Sequence, residues 1–332
     1  MTIKNVFSRG IAVALLILLG FELYLHNDDF LYRYRSVFAV GRAADKLFYV
    51  ERVQPKIIFF GNSRVDNGVD PRLVAKEMGL PDEEVFNFGV PGSNTRILAG
   101  LAKEMAERRV FQRRDPQYIV LGLDESWFTL ADDLNYSIFF ADRLALLKNG
   151  EWRILAGSIL RLWGFAINLK GLREPSRMLS FLRATLEDRD PWGGPLTENR
   201  GFRAKQGELN EDDLRVAGLR KEVAKIGSPL TIDYFFDLID TLTGEDVQVL
   251  IYVPPYYGER PGFFERRDEP AHRRIIDYLE AKGIPVLQVE VEPPLTQHEF
   301  ADLGHLNPKG SERFSKAMGR VLAQWLSGRE KP

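Results

Sequence analysis

Two short segments at opposite ends of the chain contain the residues best suited to covalent chemistry. Near the C-terminus, Asp302 precedes His305 by three residues, just ahead of a predicted helix. Near the start, Ser63 follows the apolar run 57–60. A serine hydroxyl becomes nucleophilic when a base takes its proton, and a histidine base needs a carboxylate to hold its tautomer. Because the chain has only four His, this pattern predicts a nucleophilic site built from Ser63, His305 and Asp302.

Composition limits the other kinds of site. The 332 residues allow one large α/β domain or two smaller ones, and the 45% of hydrophobic residues suffices for a sizeable core. A formal charge of −2 gives no basic field for nucleic acid. The absence of Cys excludes disulfides, thiolate metal sites and a Cys nucleophile.

Strands and helices alternate along the chain, and this order positions the reactive residues. Short apolar or β-branched runs predict strands at 56–60, 85–90, 118–123, 247–253 and 285–289. Such alternation predicts a doubly wound α/β fold, whose parallel sheet is covered by helices on both faces. Ligands collect at the C-terminal ends of such strands. Ser63, the segment 89–94, Asp124 and the pair Asp302/His305 all fall at such ends.

The N-terminal segment predicts a membrane anchor. Lys4 and Arg9 precede an apolar run at 11–25. This pattern favours an uncleaved transmembrane signal anchor over residues 1–27, with the rest of the chain outside the cytoplasm. A cleaved signal peptide and a buried or amphipathic helix of a cytosolic protein are the alternatives.

Two further segments complete the predicted organisation. Residues 28–54 form a helical, charged connector, and residues 55–330 form the main domain. Residues 131–235 interrupt the alternation of strands and helices, and we interpret them as a helical insertion. Its role is that of a lid or partner surface, or of an ordinary helical subdomain.

The combination of motifs resembles the SGNH/GDSL hydrolase superfamily. The resemblance rests on the turn 61–64 after the first strand, on a Gly after the second, and on the C-terminal Asp-x-x-His. It implies a three-layer α/β/α fold with a flavodoxin-like parallel sheet. It also implies that Ser63 is the nucleophile, that Asp302 and His305 are the acid and base, and that Gly89 belongs to the oxyanion hole.

The chain departs from the family pattern in two blocks, and the likeness covers only about 55–125 and 245–327. The first block reads Gly-Asn-Ser-Arg where the family has Gly-Asp-Ser-Leu. In the third block, Asp124 occupies the usual Asn position. An ionised carboxylate cannot donate to an oxyanion and would repel it, so Asp124 points away, is protonated or serves binding. Asn94 is the predicted substitute donor; its alternative role is that of a helix N-cap.

With its predicted anchor, the chain resembles membrane-anchored SGNH-type proteins of cell-envelope acylation. Examples complete the D-alanylation of teichoic acids or O-acetylate alginate or cellulose. The resemblance implies an acyl group on Ser63 that is passed between an acylated carrier and an extracytoplasmic polysaccharide. It further implies a membrane-bound O-acyltransferase as partner, the inner membrane as location, and a periplasmic catalytic domain. No cofactor, metal or nucleic acid is expected.

Several alternatives remain open. Ester hydrolysis and acyl transfer share the same nucleophile and differ only in the acceptor. A membrane-anchored assembly factor with reduced catalysis, and a secreted carbohydrate esterase or lipase, would share the same motifs. An α/β-hydrolase is disfavoured because Ser63 lacks the second Gly of Gly-x-Ser-x-Gly. A metal site from Asp302, His305, His298 and Asp124 is disfavoured because no His-Glu-x-x-His motif occurs.

Overall fold

The computed structural model divides the chain into two compact units. The described residues are 3–34, 41–113, 116–130, 134–186, 195–210, 214, 226, 228–258 and 262–329. What we call the helical unit comprises Met1–Asp45, Asp133–Phe139 and Arg143–Pro191. What we call the sheet unit comprises Lys46–Asp132, Phe140–Asp142 and Trp192–Pro332. The predicted anchor, connector and insertion extend in part over residues outside the described ranges.

Helices account for most of the described secondary structure. In chain order they are α1 Ile3–Leu25, α2 Asp28–Tyr34, α3 Gly41–Val53, α4 Ser63–Gly68, α5 Pro71–Met78, α6 Thr95–Glu107, α7 Leu134–Phe140, α8 Arg143–Lys148, α9 Trp152–Ile159, α10 Arg161–Gly164, α11 Ala166–Gly171, α12 Pro175–Leu186, α13 Pro195–Asn199, α14 Pro229–Thr243, α15 Pro270–Ala281 and α16 Pro308–Arg329. Single 3₁₀ turns occur at Asp82–Glu84, Glu125–Phe128, Phe263–Arg266 and Gln297–Glu299.

The sheet unit contains a four-stranded parallel sheet. Its strands are β1 Ile57–Gly61, β2 Val85–Gly89, β3 Gln117–Gly122 and β4 Val247–Tyr252, in the order β2-β1-β3-β4. β1 and β2 are fully buried because both faces are covered, as their near-continuous apolar sequences require. The prediction of an α/β fold with a parallel sheet is therefore confirmed.

The two faces of the sheet are set by the alternation of side chains along each strand. Ile57 and Phe59 of β1 belong to a buried cluster that includes Val74 of α5 and Phe314 of α16. Because side chains alternate, Ile58 and Phe60 point to the opposite face, where Phe60 lies 5.4 Å from Phe88 between ring centroids. Buried residues on both sides of β1 are consistent with a three-layer arrangement.

The predicted fifth parallel strand at 285–289 lies beside β4 as expected, but it does not form a ladder. This segment meets β4 only through a single parallel bridge between Val286 and Ile251. The pairing consists of hydrogen bonds from Ile251 N to Pro285 O (3.0 Å) and from Leu287 N to Ile251 O (2.7 Å). Two bonds do not make a ladder, and the chain leaves the sheet after them.

A small antiparallel pair that was not predicted follows. β5 Phe300–Asp302 pairs with β6 His305–Leu306. The tight reversal between them brings Asp302 opposite His305. The two residues of the Asp-x-x-His motif therefore lie across a hairpin from each other.

The helical unit is built around the C-terminal end of α1. Both carboxylate oxygens of Glu22 accept hydrogen bonds from backbone N–H groups of α10, Arg161 (2.7 Å) and Leu162 (2.9 Å).

In the part of the chain that the structure describes, no helix has the combination of length and apolarity needed to cross a membrane, and the predicted transmembrane helix is unsupported.

Candidate active site

Ser63 is the first residue of α4 and directly follows the turn after β1. Asn62 caps the helix: its side-chain oxygen accepts a hydrogen bond from Arg64 N at 2.9 Å. Gly61 is required before this turn because a Cβ there would lie 2.5 Å from a methyl group of Val65. Ser63 is half-buried, and its backbone N–H lies in the first helical turn, where N–H groups have no intrahelical acceptor.

His305 connects Ser63 to Asp302. Its Nε2 atom lies 2.8 Å from Ser63 Oγ, and its Nδ1 atom lies 2.8 Å from Asp302 Oδ1. The hydrogen-bond network assigns the proton to Nδ1, which donates to the carboxylate, so that Nε2 accepts from the hydroxyl. The structure thus brings together the three residues predicted as nucleophile, base and acid, although the sequence separation between Ser63 and His305 is 242 residues.

The carboxylate of Asp302 is held by its own turn. Its Oδ1 atom accepts hydrogen bonds from Gly304 N (2.9 Å) and His305 N (3.0 Å). These bonds fix the carboxylate over the hairpin between β5 and β6. The imidazole is consequently oriented by a rigid backbone turn as well as by the side-chain hydrogen bond.

Lys205 is a fourth member of this cluster that the sequence reasoning missed. Its Nζ atom donates to Asp302 Oδ2 at 2.5 Å and lies 3.4 Å from His305 Nδ1. Burial raises the pKa of Asp302, but the hydrogen bonds from His305 and Lys205 outweigh it and hold this pKa well below the ordinary value. No sequence signal identifies Lys205, because it lies in a polar stretch without periodicity in the predicted insertion.

Gly89 does not offer the free donor predicted for an oxyanion hole. Its backbone N–H donates to the side-chain oxygen of Asn87 at 2.8 Å. Gly89 is instead required by packing, because a Cβ there would lie 2.1 Å from the backbone nitrogen of Asp66. The close approach of β2 to α4 thus explains this Gly, and its expected donor role stays a prediction.

Asn94 caps α6. Its side-chain oxygen accepts a hydrogen bond from Ile97 N at 3.2 Å, and the residue is buried. This contact matches the helix N-cap alternative. The capping bond occupies the oxygen of the amide group, so the predicted donor role of Asn94 depends on its side-chain nitrogen alone.

Asp124 is buried at the end of β3 and forms an ion pair with Arg64, the residue after the candidate nucleophile. Asp124 also accepts a hydrogen bond from Ser126 N (2.6 Å) and so caps the 3₁₀ turn Glu125–Phe128. The guanidinium of Arg64 stacks over the Tyr256 ring at 5.1 Å. Asp124 is therefore a charge partner for Arg64 rather than a donor.

A cavity of about 240 Å³ adjoins these residues at the C-terminal ends of β3 and β4. Arg64 and Asp124 contribute charged groups to its wall, and Pro255, Tyr256 and Phe263 contribute apolar surface. A site of this kind suits a small, partly polar ligand, since apolar walls supply contact area and a few polar groups supply orientation.

Buried polar groups hold α4, the helix that carries Ser63, in place. Lys46 Nζ donates to Asp66 Oδ1 (2.7 Å) and to Gly89 O (2.6 Å), and both charged side chains are fully buried. The amide of Asn87 donates to the backbone oxygens of Val65 (2.7 Å) and Val69 (2.6 Å). These contacts join α3, α4 and β2 and hold the first turn of α4 in one position.

Of the four residues considered for a metal site, only Asp302 and His305 are shown in contact with each other. His298 is exposed and contacts Glu208, whereas Asp124 is buried against Arg64. Within the described ranges, no cluster of three or more His, Asp or Glu side chains has an arrangement that could hold a metal ion.

The comparisons with known proteins give no family assignment. No protein-family model matches this chain, and no curated protein matches it.

Proposed function

We propose that the protein performs serine-dependent acyl transfer or ester hydrolysis through an acyl group on Ser63. One observation carries this proposal: the 2.8 Å contact between Ser63 Oγ and His305 Nε2, with Asp302 on the other ring nitrogen at 2.8 Å. This is the arrangement that nucleophilic catalysis by a serine requires. An SGNH-type, flavodoxin-like fold is part of the proposal, and the strand order β2-β1-β3-β4 supports it.

The roles of the residues follow from the geometry. His305 Nε2 takes the proton of Ser63 as Oγ forms a bond to the acyl carbon of the donor ester. The same proton then passes to the leaving oxygen, whose bond to the acyl carbon breaks. In the second half-reaction, water or a sugar hydroxyl attacks the acyl carbon, the bond between that carbon and Ser63 Oγ breaks, and the proton of the attacking group passes through His305 to Ser63 Oγ. Asp302 stabilises the imidazolium formed in each half-reaction.

Charge on the tetrahedral oxygen needs a donor. The backbone N–H of Ser63, in the first turn of α4, is the nearest candidate in this proposal, and the helix N-terminus favours negative charge there. Gly89 is not included because its N–H is paired with Asn87. The cavity beside Arg64 is the proposed binding position for one of the two substrates.

The biological setting of the proposal comes from the family resemblance. In it, the acceptor is an extracytoplasmic polysaccharide, the donor is an acylated carrier, and a membrane-bound O-acyltransferase is the partner. The chain would act outside the inner membrane, attached by its N-terminal helix. Support comes from the large apolar side chains that α1 exposes between Ile11 and Leu23.

A second candidate is an assembly factor with reduced catalysis. Two observations favour it: the Gly89 N–H is already paired, and a buried carboxylate, Asp124, occupies the third motif block. Both features weaken oxyanion stabilisation relative to a site with two free donors. Removing one such donor typically costs about 10²–10³ in rate.

Intact-mass analysis after incubation with an activated acetyl ester tests the proposal. The full chain in mild detergent should gain one acetyl group, and Ser63→Ala should gain none under the same conditions. Addition of polysaccharide acceptors to the acetylated protein then separates transfer from hydrolysis. A folded wild-type protein without an adduct would favour the assembly factor.

A further inference from the structure

The helices at 143–186 in the helical unit expose an unusual amount of apolar surface. Large apolar side chains there are between 47% and 84% exposed: Leu147, Trp152, Ile159, Leu160, Trp163, Leu179, Leu182 and Leu186. We call this set the Trp152/Trp163 surface. Soluble monomers rarely expose this many large apolar groups in one segment, so the surface indicates a partner.

α12 illustrates how the surface is organised. One side of this helix packs inward: Phe181 stacks on Tyr34 with ring centroids 4.8 Å apart, and Ala184 is buried. The side chains at 179, 182 and 186 follow helical spacing and point away from this packed side. Their exposure therefore does not result from loose packing, because the same helix has a well-packed inner side.

The surface is fixed to the C-terminal end of α1. Arg161 donates from its guanidinium to Leu25 O at 2.8 Å, and Glu22 accepts from the backbone of Arg161 and Leu162. His26 Nε2 lies 3.1 Å from Ile159 O. α1 exposes apolar side chains up to Leu23. Its C-terminal end therefore contacts the segment that carries the Trp152/Trp163 surface.

Charge identifies the kind of partner. Residues 143–186 contain eight Lys or Arg and two acidic residues, a net charge of +6 in a chain whose formal charge is −2. Basic helices with exposed Trp and Leu are typical of segments that lie in the interface of an anionic membrane. Trp in particular prefers the headgroup level. A second copy of the chain is a poorer partner because its surface would carry the same positive charge.

We propose that the Trp152/Trp163 surface binds in the headgroup layer of an anionic phospholipid membrane. The Trp and Leu side chains enter the boundary of the acyl chains, and exposed basic side chains, such as Lys148, Lys170 and Arg183, contact lipid phosphates. This inference rests on the proposed membrane location but not on the chemistry at Ser63. It assigns residues 143–186 a lipid-binding role in addition to the one proposed for α1.

Site-specific fluorescence in proteoliposomes tests the proposal. The chain has no Cys, so single substitutions can be labelled without background. Leu160→Cys and Leu182→Cys report on the surface, Leu16→Cys reports on α1, and Glu312→Cys, on the exposed side of α16, is the aqueous control. Each full-length variant is reconstituted in phosphatidylcholine vesicles with or without phosphatidylglycerol, and is quenched by nitroxide-bearing lipid or by iodide in water.

The proposal predicts that nitroxide lipid quenches the labels at 160 and 182 several-fold more than the label at 312, with stronger quenching when phosphatidylglycerol is present. Iodide should quench them several-fold less than it quenches 312. If iodide quenches the labels at 160 and 182 as strongly as the label at 312, while lipid quenches the label at 16, the proposed lipid-binding role of the surface is overturned. The proposed membrane location then still stands. If the labels at 160 and 182 are protected from both quenchers, the lipid-binding role is overturned in favour of a protein partner. If iodide quenches the labels at 16, 160 and 182 alike, both the lipid-binding surface and the membrane location are overturned. If lipid quenching is equal in vesicles with and without phosphatidylglycerol, the preference for anionic lipid is overturned.

Discussion

Lys205 and His305 share one carboxylate: the Nζ atom of Lys205 lies 2.5 Å from Asp302 Oδ2, and the Nδ1 atom of His305 lies 2.8 Å from Asp302 Oδ1. The cationic group therefore partly neutralises the residue that would stabilise an imidazolium. Asp302 is about two-fifths exposed, so solvent screens this pair but does not remove its effect.

The first prediction concerns acid stability. The folded-state pKa of Asp302 lies below its ordinary value of 3.8. Its contribution to stability is therefore fully present above the unfolded pKa and is lost as the pH falls through the folded pKa. Lys205→Met removes one of the hydrogen bonds that lower this pKa, so the acid-unfolding midpoint, followed by circular dichroism, should move to higher pH.

Lys316→Met is the matched control for Lys205→Met. Lys316 pairs with Glu312 on the exposed side of α16, and such pairs contribute about 0.2–1 kcal/mol or nothing. Its acid midpoint should stay near that of the wild type. An equal midpoint for Lys205→Met and the wild type would contradict the role given to Lys205.

The second prediction concerns Asp302→Asn. An amide at this position can donate to His305 Nδ1 and so stabilise the tautomer that cannot accept the Ser63 proton. We expect the rate of acylation at Ser63 to fall by roughly 10⁴-fold, as comparable substitutions in serine triads do. The measurement is the time course of adduct mass at neutral pH. A rate within a few-fold of the wild type would remove Asp302 from the mechanism.

The third prediction concerns the buried pair beneath α4. Lys46→Met leaves the carboxylate of Asp66 without its closest cation in a fully buried position. Urea unfolding should show a loss of up to about 3–5 kcal/mol, the cost of breaking a buried pair, because a second cation, Arg203, lies farther away at 3.4 Å and is half exposed. The double variant Lys46→Met/Asp66→Leu should recover most of the loss. Additive losses in the double variant would indicate that the pair acts through packing and not through charge.

The fourth prediction compares two glycines around α4. Gly89→Ala forces a Cβ to within 2.1 Å of Asp66 N, whereas the same change at Gly68 meets no atom within 4 Å. Gly89→Ala should destabilise the protein by about 1–3 kcal/mol or more and slow acylation by displacing α4. Gly68→Ala should be neutral or stabilising by about 0.4–1 kcal/mol. Similar unfolding curves for the two variants would contradict the tight approach of β2 to α4.

Much of the fold could be predicted because local patterns agree with burial. The apolar run at 57–60 forms β1, and Asp70 caps α5 with Pro71 at its first position, as their sequence indicates. The strand at 285–289 could not be excluded from sequence, because its apolar residues are equally suited to a strand and to a chain that only touches the sheet edge. The expected ladder with β4 is missing because of tertiary pairing, not because of local strand propensity.

The candidate site shows the same limit. Ser63, Asp302 and His305 could be identified because their motif has fixed spacing and a structural context. Gly89 has the right residue type and the right strand end, but only the three-dimensional structure shows that Asn87 already occupies its N–H. Lys205 reaches Asp302 across 97 residues of sequence, and no local pattern encodes such a contact.

The most direct test of Ser63 as an activated nucleophile is covalent labelling with a serine-reactive fluorophosphonate. The full chain in mild detergent is compared with Ser63→Ala and His305→Ala by intact mass and peptide mapping. We expect one adduct on wild type, mapped to Ser63, no adduct on Ser63→Ala, and strongly slowed labelling of His305→Ala. An adduct of equal extent on Ser63→Ala, or a folded wild-type protein that never labels, would contradict the assignment of Ser63 as an activated nucleophile.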